Sequence, residues 1–394
     1  MCIPVGDPGS SDSPTGHHGP EGGTVTMISL GWVTDRPLRK WGLLTVVAPG
    51  VIVPAAIGLT ALILAAIGGP REILVSLGVS CTLAVAYQIF VGATGIISFG
   101  HMAFVAVGAY TAGLVTVPPS QRATLLPDLP APLQQVYLTF PASLALAAAV
   151  CALLALLSGL VLMRMSGVAA GIGTLGLLVI VNEVIRNSGS LTRGTQTFFG
   201  VPANTNLIST GAVIMLVTVL ALLFKFSRFG IKARAGKDDD LAYETLGGSV
   251  IRARIFAWVL SGALTGVGGA LMAQQLTAFS PSSFFIIQSV PIIVIVVLGG
   301  INSVAGSLLG AVVYVAWIQI MLEVESGSVV GLEFPVVAGI GQLTIGVALI
   351  LVLRWRPLGL LGSSELGLKI PGPESLASNP EAPAADDLIV SERD

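Results

Sequence analysis

Two groups of residues have the types and spacing to do chemistry. Ser98 and His101 lie three apart in VGATGIISFGHMAFVAVGAY, residues 91–110. A hydroxyl and an imidazole on one helical face invite a serine-hydrolase reading, but neither an orienting acid nor a G-x-S-x-G elbow accompanies them. The pair then has two other uses. Polar side chains at membrane depth hydrogen-bond a neighbouring helix or face a watery path. The second group is Asn182, Glu183 and Arg186. A carboxylate in an apolar run is costly unless paired, so a structural Glu183–Arg186 ion pair is expected.

Two nucleotide-binding signatures fail on inspection. GIGTLG, Gly171–Gly176, fits G-x-G-x-x-G but sits inside an apolar run with no strand before it, so it reads as close helix packing. Gly262/Gly266 and Gly306/Gly310 are small-xxx-small pairs of the same kind. Gly236–Lys237 is followed by Asp238, and the glycine spacing of a Walker A loop is missing. The chain has no visible ATP site of its own. Cys2, Cys81 and Cys151 match neither a metal site nor a disulfide framework. No metal or cofactor is expected, and no catalytic residue.

These residues must be held by elements built for lipid. Of the 394 residues 54% are hydrophobic and 10% charged, far from the quarter charged that is usual in a soluble domain. Apolar runs near 43–67, 73–95, 96–117, 138–163, 166–186, 211–226, 254–276, 286–300, 303–322 and 335–353 predict an all-α polytopic protein of about eight to ten transmembrane helices. The run at 286–300 is short and holds Pro291, so a broken or re-entrant element is expected there. In 280–311 Ser289, Asn302 and Ser303 are polar islands. They either line the centre of a bundle or belong to a packing helix that Gly299–Gly300 interrupts.

Charge sets the orientation. Ten spans put both termini on one side. Arg36, Arg39 and Lys40, then Arg164, the loop 225–254, and Arg354 with Arg356 all fall on that side, which the excess of Lys and Arg marks as cytoplasmic. The Pro-rich 118–137 segment and 187–210 fall outside, as does the acidic 323–334 segment. Residues 1–41 read as a disordered cytoplasmic tail, 42–361 as the membrane domain and 362–394 as a second disordered tail. The first apolar run begins at Leu43 and is too long for a secretory signal.

The loop KFSRFGIKARAGKDDDLAYETLGGSVIRAR, Lys225–Arg254, is the one long, densely charged interruption between apolar runs. Asp238, Asp239 and Asp240 precede LAYETL, and Gly247–Gly248 follow it. Acids at the start and glycine at the end predict a short helix over about 239–246.

Several motifs in order resemble a known family: the permease subunits of branched-chain amino acid importers of the ATP-binding cassette class, the LivM-like branch. The resemblance runs from about Ile73 to Leu361. Gly92, Gly95, Ser98, Gly100, His101, Ala103, Phe104, Gly108, Ala109 and Tyr110 match one motif. Glu183 and Arg186 match its E-x-x-R, and Leu191, Thr192, Gly194, Gly200 and Pro202 an outer-loop pattern. Ser227, Arg228, Phe229, Gly230, Arg234, Ala235, Ala242, Leu246 and Gly247 match the cytoplasmic loop. Ser280, Pro281, Phe284, Leu298, Gly299, Gly300, Ser303, Gly306 and Gly310 match the closing motif. The loop departs at Asp240, Leu241, Ala242 and Tyr243, where the family usually has a Glu-Ala-Ala start.

The resemblance implies a non-catalytic permease in the plasma membrane. It would pair with a second, related permease. Two cytoplasmic ATP-binding subunits would dock on a coupling loop comprising Arg234, Asp238, Asp239, Asp240, Ala242, Leu246 and Gly247. An extracytoplasmic binding protein would deliver branched-chain amino acids or a related small polar solute such as urea or a short amide. The expected solute path takes in Ser98, His101, Ser289, Asn302 and Ser303. An ion-coupled secondary transporter is the alternative; it would need an intramembrane carboxylate at mid-depth, and Glu183, near a span end with Arg186 adjacent, disfavours it.

Overall fold

In lipid no water bonds the backbone, so a spanning segment must satisfy its own N–H and C=O groups. The apolar runs accordingly fold as helices in the computed structural model, which describes residues 71–362 apart from 166, 246, 326–327, 330–331, 334–338 and 357–358. The expected span at 43–67, the expected tail 1–41 and, past its first residue, the expected tail 362–394 lie outside the described residues, as does Leu246.

The helices that concern the site are α1 (Arg71–Thr94), α2 (His101–Thr116), α3 (Phe140–Leu162), α4 (Gly167–Asn187) and α5 (Leu207–Phe226). Two short helices follow in the charged loop, α6 (Arg228–Asp238) and α7 (Asp240–Thr245). Then come α8 (Val250–Leu276), α9 (Ile286–Gly299), α10 (Val304–Glu325) and α11 (Ile340–Trp355). Among the described residues seven helical stretches are long and apolar enough to cross a membrane, and α2 and α11 are apolar but shorter. The chain is an all-α polytopic membrane protein. Its strands among those residues are a two-residue antiparallel pair, with Ser328 opposite Glu333 and Val329 opposite Leu332.

Local chemistry accounts for the starts and stops. Asn206 and Ser209 cap α5 reciprocally, each side chain accepting from the other's backbone N–H at 2.9 Å. Ser227 ends α5 and also begins α6: it is extended (φ −71°, ψ 163°), and its Oγ accepts from Gly230 N–H at 3.2 Å. Two expectations are corrected here. The loop holds two helices rather than the single one expected at 239–246, which corresponds to α7. The expected break at 286–300 is absent: α9 runs through Pro291 and is preceded by a 3-10 turn, Pro281–Phe284. The irregular segment lies instead at 95–100, between α1 and α2.

The core forms around α8, which packs on α1, α2 and α3. In the most apolar stretch of α1, 78% of residues are buried inside the bundle, against 28% for α3, so α1 is central and α3 peripheral. Small residues permit this closeness, because lipid offers no hydrophobic drive between helices and contact itself must supply the attraction. A methyl added at Gly108 would overlap the Gly266 carbonyl. Trp258 is fully buried on α8, its ring edge-on to Phe90 at 4.8 Å and Phe104 at 5.1 Å.

Cross-links between remote segments define two ends. At one, Lys237 Nζ reaches Gly92 O and Leu360 N–H donates to Leu298 O. At the other, Phe198 and Phe279 exchange both backbone hydrogen bonds, at 2.8 and 2.9 Å, and stack at 5.5 Å.

Candidate functional site: a buried hydroxyl–imidazole relay and a basic clamp

The irregular 95–100 segment is the first part of the site. An unwound backbone at membrane depth is tolerated only where protein satisfies it. Side chains do so here. Ile96 N–H donates to Thr94 Oγ1 at 3.2 Å, Ser98 N–H to Tyr87 Oη at 3.1 Å and Phe99 N–H to Thr174 Oγ1 at 3.2 Å. Gly100 N–H donates to Ser98 Oγ at 3.2 Å.

Ser98 and His101 are brought together as their spacing implied, with Oγ 3.0 Å from Nδ1. The partner on the far side of the ring is Ser261 of α8, whose Oγ lies 2.7 Å from His101 Nε2 and donates to Ala86 O at 2.6 Å. The bonding pattern assigns the protons. The single hydroxyl hydrogen of Ser261 goes to the carbonyl, so Nε2 carries the imidazole proton and Nδ1 accepts from Ser98. The imidazole is neutral and both nitrogens are satisfied. Tyr87, Phe90, Phe104 and Trp258 surround it, with ring centroids 4.7 to 5.9 Å away. Ser98 is 1% and His101 2% exposed, so no solute reaches them in this conformation. The relay ties the irregular segment, α2, α8 and α1 together. It ends on a backbone carbonyl, in the place where a serine hydrolase has its orienting acid. Ser261 was missed in the sequence; its signal was a small polar residue, with Thr265 one turn on, in an apolar run.

The second part is a cluster of cations around carbonyls at the other end of the 95–100 segment. Lys225 Nζ donates to Asn302 O, Lys237 Nζ to Asn302 Oδ1 at 2.8 Å, and Arg234 to Lys225 O at 2.8 Å. Beside them lies a cleft of about 20 Å3, room for about one water, lined in part by Gln88, Gly92, Phe224 and Gly230. The sequence suggested Asn302 for the middle of a solute path. The structure puts it at the basic end, held by lysines of the loop region.

The remaining candidates fall elsewhere. Ser303, fully buried, caps α10 by accepting from Gly306 N–H at 3.0 Å. Ser289 bonds back to Ile286 O at 2.7 Å within its own helix. The structure does not bring Glu183 and Arg186 together. Glu183 Oε1 accepts from Asn187 at 2.6 Å, and Arg186 lies over the Phe285 ring at 5.9 Å. Both are exposed, so water or headgroups can solvate them, and the pairing that burial would enforce is not required. In the loop, Asp239 precedes α7 and is exposed, and Gly247 follows it in the left-handed region at φ +77°. Asp238, Asp240 and Ala242 fall at the ends and in the body of α6 and α7; their side chains lie outside the described residues.

One further residue stands out. Arg122 is 1% exposed, and its guanidinium donates to the carbonyls of Val117, Leu133, Gln134 and Val136. It folds the 118–137 segment over the end of α2. On sequence alone it reads only as a charge.

Comparison with known proteins follows the same lines. Residues 69–353 match a family described as branched-chain amino acid transport system / permease component. The chain is similar to the high-affinity branched-chain amino acid transport system permease protein LivM of Escherichia coli (strain K12), 28% identical over 85% of this chain and 83% of that one. It is also similar to LivM of Salmonella typhimurium, 28% identical over 73% of this chain and 69% of the relative. The probable branched-chain amino acid transport permease protein LivH of Methanocaldococcus jannaschii is 32% identical over 39% of this chain and 47% of its own. No solved structure matches.

Proposed function

Because the chain belongs to the branched-chain amino acid transport system / permease component family, we propose that it is the membrane permease subunit of an ATP-driven importer of branched-chain amino acids or a closely related small polar solute. It is non-catalytic. ATP hydrolysis comes from two cytoplasmic ATP-binding subunits, a second related permease completes the channel, and an extracytoplasmic binding protein delivers the solute. The protein sits in the plasma membrane with both termini in the cytoplasm. Hydrolysis moves α6 and α7, and through them the spans that carry 92–110 and 289–303.

The observation that carries this reading is the helical pair in the charged loop, standing at the same end as Arg354 and at a span boundary rich in Lys and Arg. A mixed-charge helical element beneath an otherwise apolar bundle suits a soluble partner and ill suits lipid. Glu183, exposed near the end of α4, lends no support to an ion-coupled mechanism.

Co-purification tests the proposal. The chain is expressed with the ATP-binding and second permease subunits encoded beside it and pulled down, as wild type and with Asp238–Gly247 replaced by a Gly/Ser linker of equal length. The ATPase is expected to follow the wild type and to be lost from the linker variant. No association with the wild type in nanodiscs would count against the importer reading.

A further inference from the structure

The charged loop is the expected receiver of force, but a receiver needs a connection to whatever moves. Lys237 stands at the far end of α6, one residue before its last position. Its Nζ donates to Asn302 Oδ1 at 2.8 Å and reaches Gly92 O at 3.5 Å. These two acceptors belong to the two places where spanning helices are interrupted at this end. Gly92 is in the last turn of α1, next to the irregular 95–100 segment. Asn302 is in the 300–303 turn between α9 and α10. Gly95 makes room for the arrangement. Its φ is +72°, and the Lys237 stem crosses the place a Cβ would occupy, at 3.1 to 3.4 Å. In the last turn of α5 Lys225 Nζ donates to the backbone O of Asn302, and Arg234 of α6 donates to Lys225 O.

We infer that Lys237 and Asn302 form a latch that transmits movement of the loop helix to both helix interruptions at once, making Lys237 a positioning residue for transport rather than a solute contact. The physical grounds are these. Each bond runs from a cation to a neutral amide or carbonyl oxygen at the negative, C-terminal end of a helix or in a turn. Such a bond is stronger than a neutral one. The neighbouring cleft has room for about one water, which can take the place of either partner when the latch opens. Lys237 lies 65 positions from Asn302 and 145 from Gly92, so the contact joins elements remote in the chain.

This rests on the importer reading, and the test separates the two. The complex is reconstituted into vesicles with its binding protein, and ATP hydrolysis and uptake of radiolabelled leucine, or of urea in a second series, are measured together. In Lys237→Met the ATPase is expected to remain bound and hydrolysis to persist, while uptake per ATP falls by about tenfold, within the usual span of coupling between linked sites. Asn302→Leu is expected to do the same. The double variant is expected to be no worse than either single one, because both remove one contact. Lys237→Arg keeps a donor of the same charge and is expected to recover most of the ratio. An unchanged ratio in Lys237→Met, additive losses in the double variant, or loss of the ATPase from either single variant would overturn the latch. The importer reading falls only if the wild-type complex shows no ATP-driven uptake of either probe.

Discussion

Ser261 shows how a single hydroxyl decides what a histidine can do. It accepts from Nε2, makes the imidazole a two-sided connector, and donates its own hydrogen bond to Ala86 O. Removing it leaves a buried N–H without a partner, which costs about 1–3 kcal/mol. Ser261→Ala is therefore expected to lower the melting temperature of the purified protein while leaving the KM for solute unchanged. A changed KM with an unchanged melting temperature would return His101 to the solute path. The sequence brought Ser98 and His101 into view because their spacing is local, three residues on one turn. It could not bring in Ser261, which is 160 positions away and meets the ring only through packing. The same holds for Arg122, whose four carbonyl partners lie on a segment that has no periodicity to read.

The described spans were legible, because twenty apolar residues have one stable solution in lipid. What failed was reading a break into Pro291. A proline near the start of a helix removes few bonds, and α9 absorbs it within its first two turns. The real interruption, at 95–100, is made by side chains that replace the missing ladder, and those side chains come from α1 and α4 as well as from the segment itself. Helix α6 was legible in principle: Ser227 with Gly230 three residues on is a start signal, obscured by the density of charge after it. Contact between α2 and α8 rests on the absence of a side chain at Gly108. Gly108→Val is expected to force the two helices apart, at a cost of about 1–3 kcal/mol or more. The measurement is the fraction of protein that elutes as a single species in detergent, which should fall; an unchanged profile would mean the two backbones have slack.

Taken together, the described helices alternate in direction and sort the charges. Arg164, the loop cations and Arg354 gather at the end where Lys237 meets Asn302, and the 118–137 and 187–206 segments gather at the other. Three spans, α3, α4 and α5, separate the 118–137 segment from the charged loop, so the two must lie on opposite sides of the bilayer. A phosphatase reporter that folds only outside the cytoplasm is expected to be active when inserted after Gln134 and inactive when inserted after Gly247. The same activity at both sites would mean that one of the three helices does not cross. The sorting of charge between the two ends of the described helices was readable from where Lys and Arg fall in the sequence. The position of Asn302 was not, because a polar residue in an apolar field looks the same at mid-depth and at the rim.

Ser227 has one more consequence. A single residue joins α5 to α6, so there is no slack between a spanning helix and the arm that carries Lys237. The arm has 11 residues, or about 16 Å at 1.5 Å per residue, so a tilt of roughly 10° at the joint swings its tip by about 3 Å. A hydrogen bond does not survive a displacement of that size. With the latch proposed above, the joint would be a lever resting in a detent: small jostling by the bilayer is held, and a modest deliberate push releases the arm.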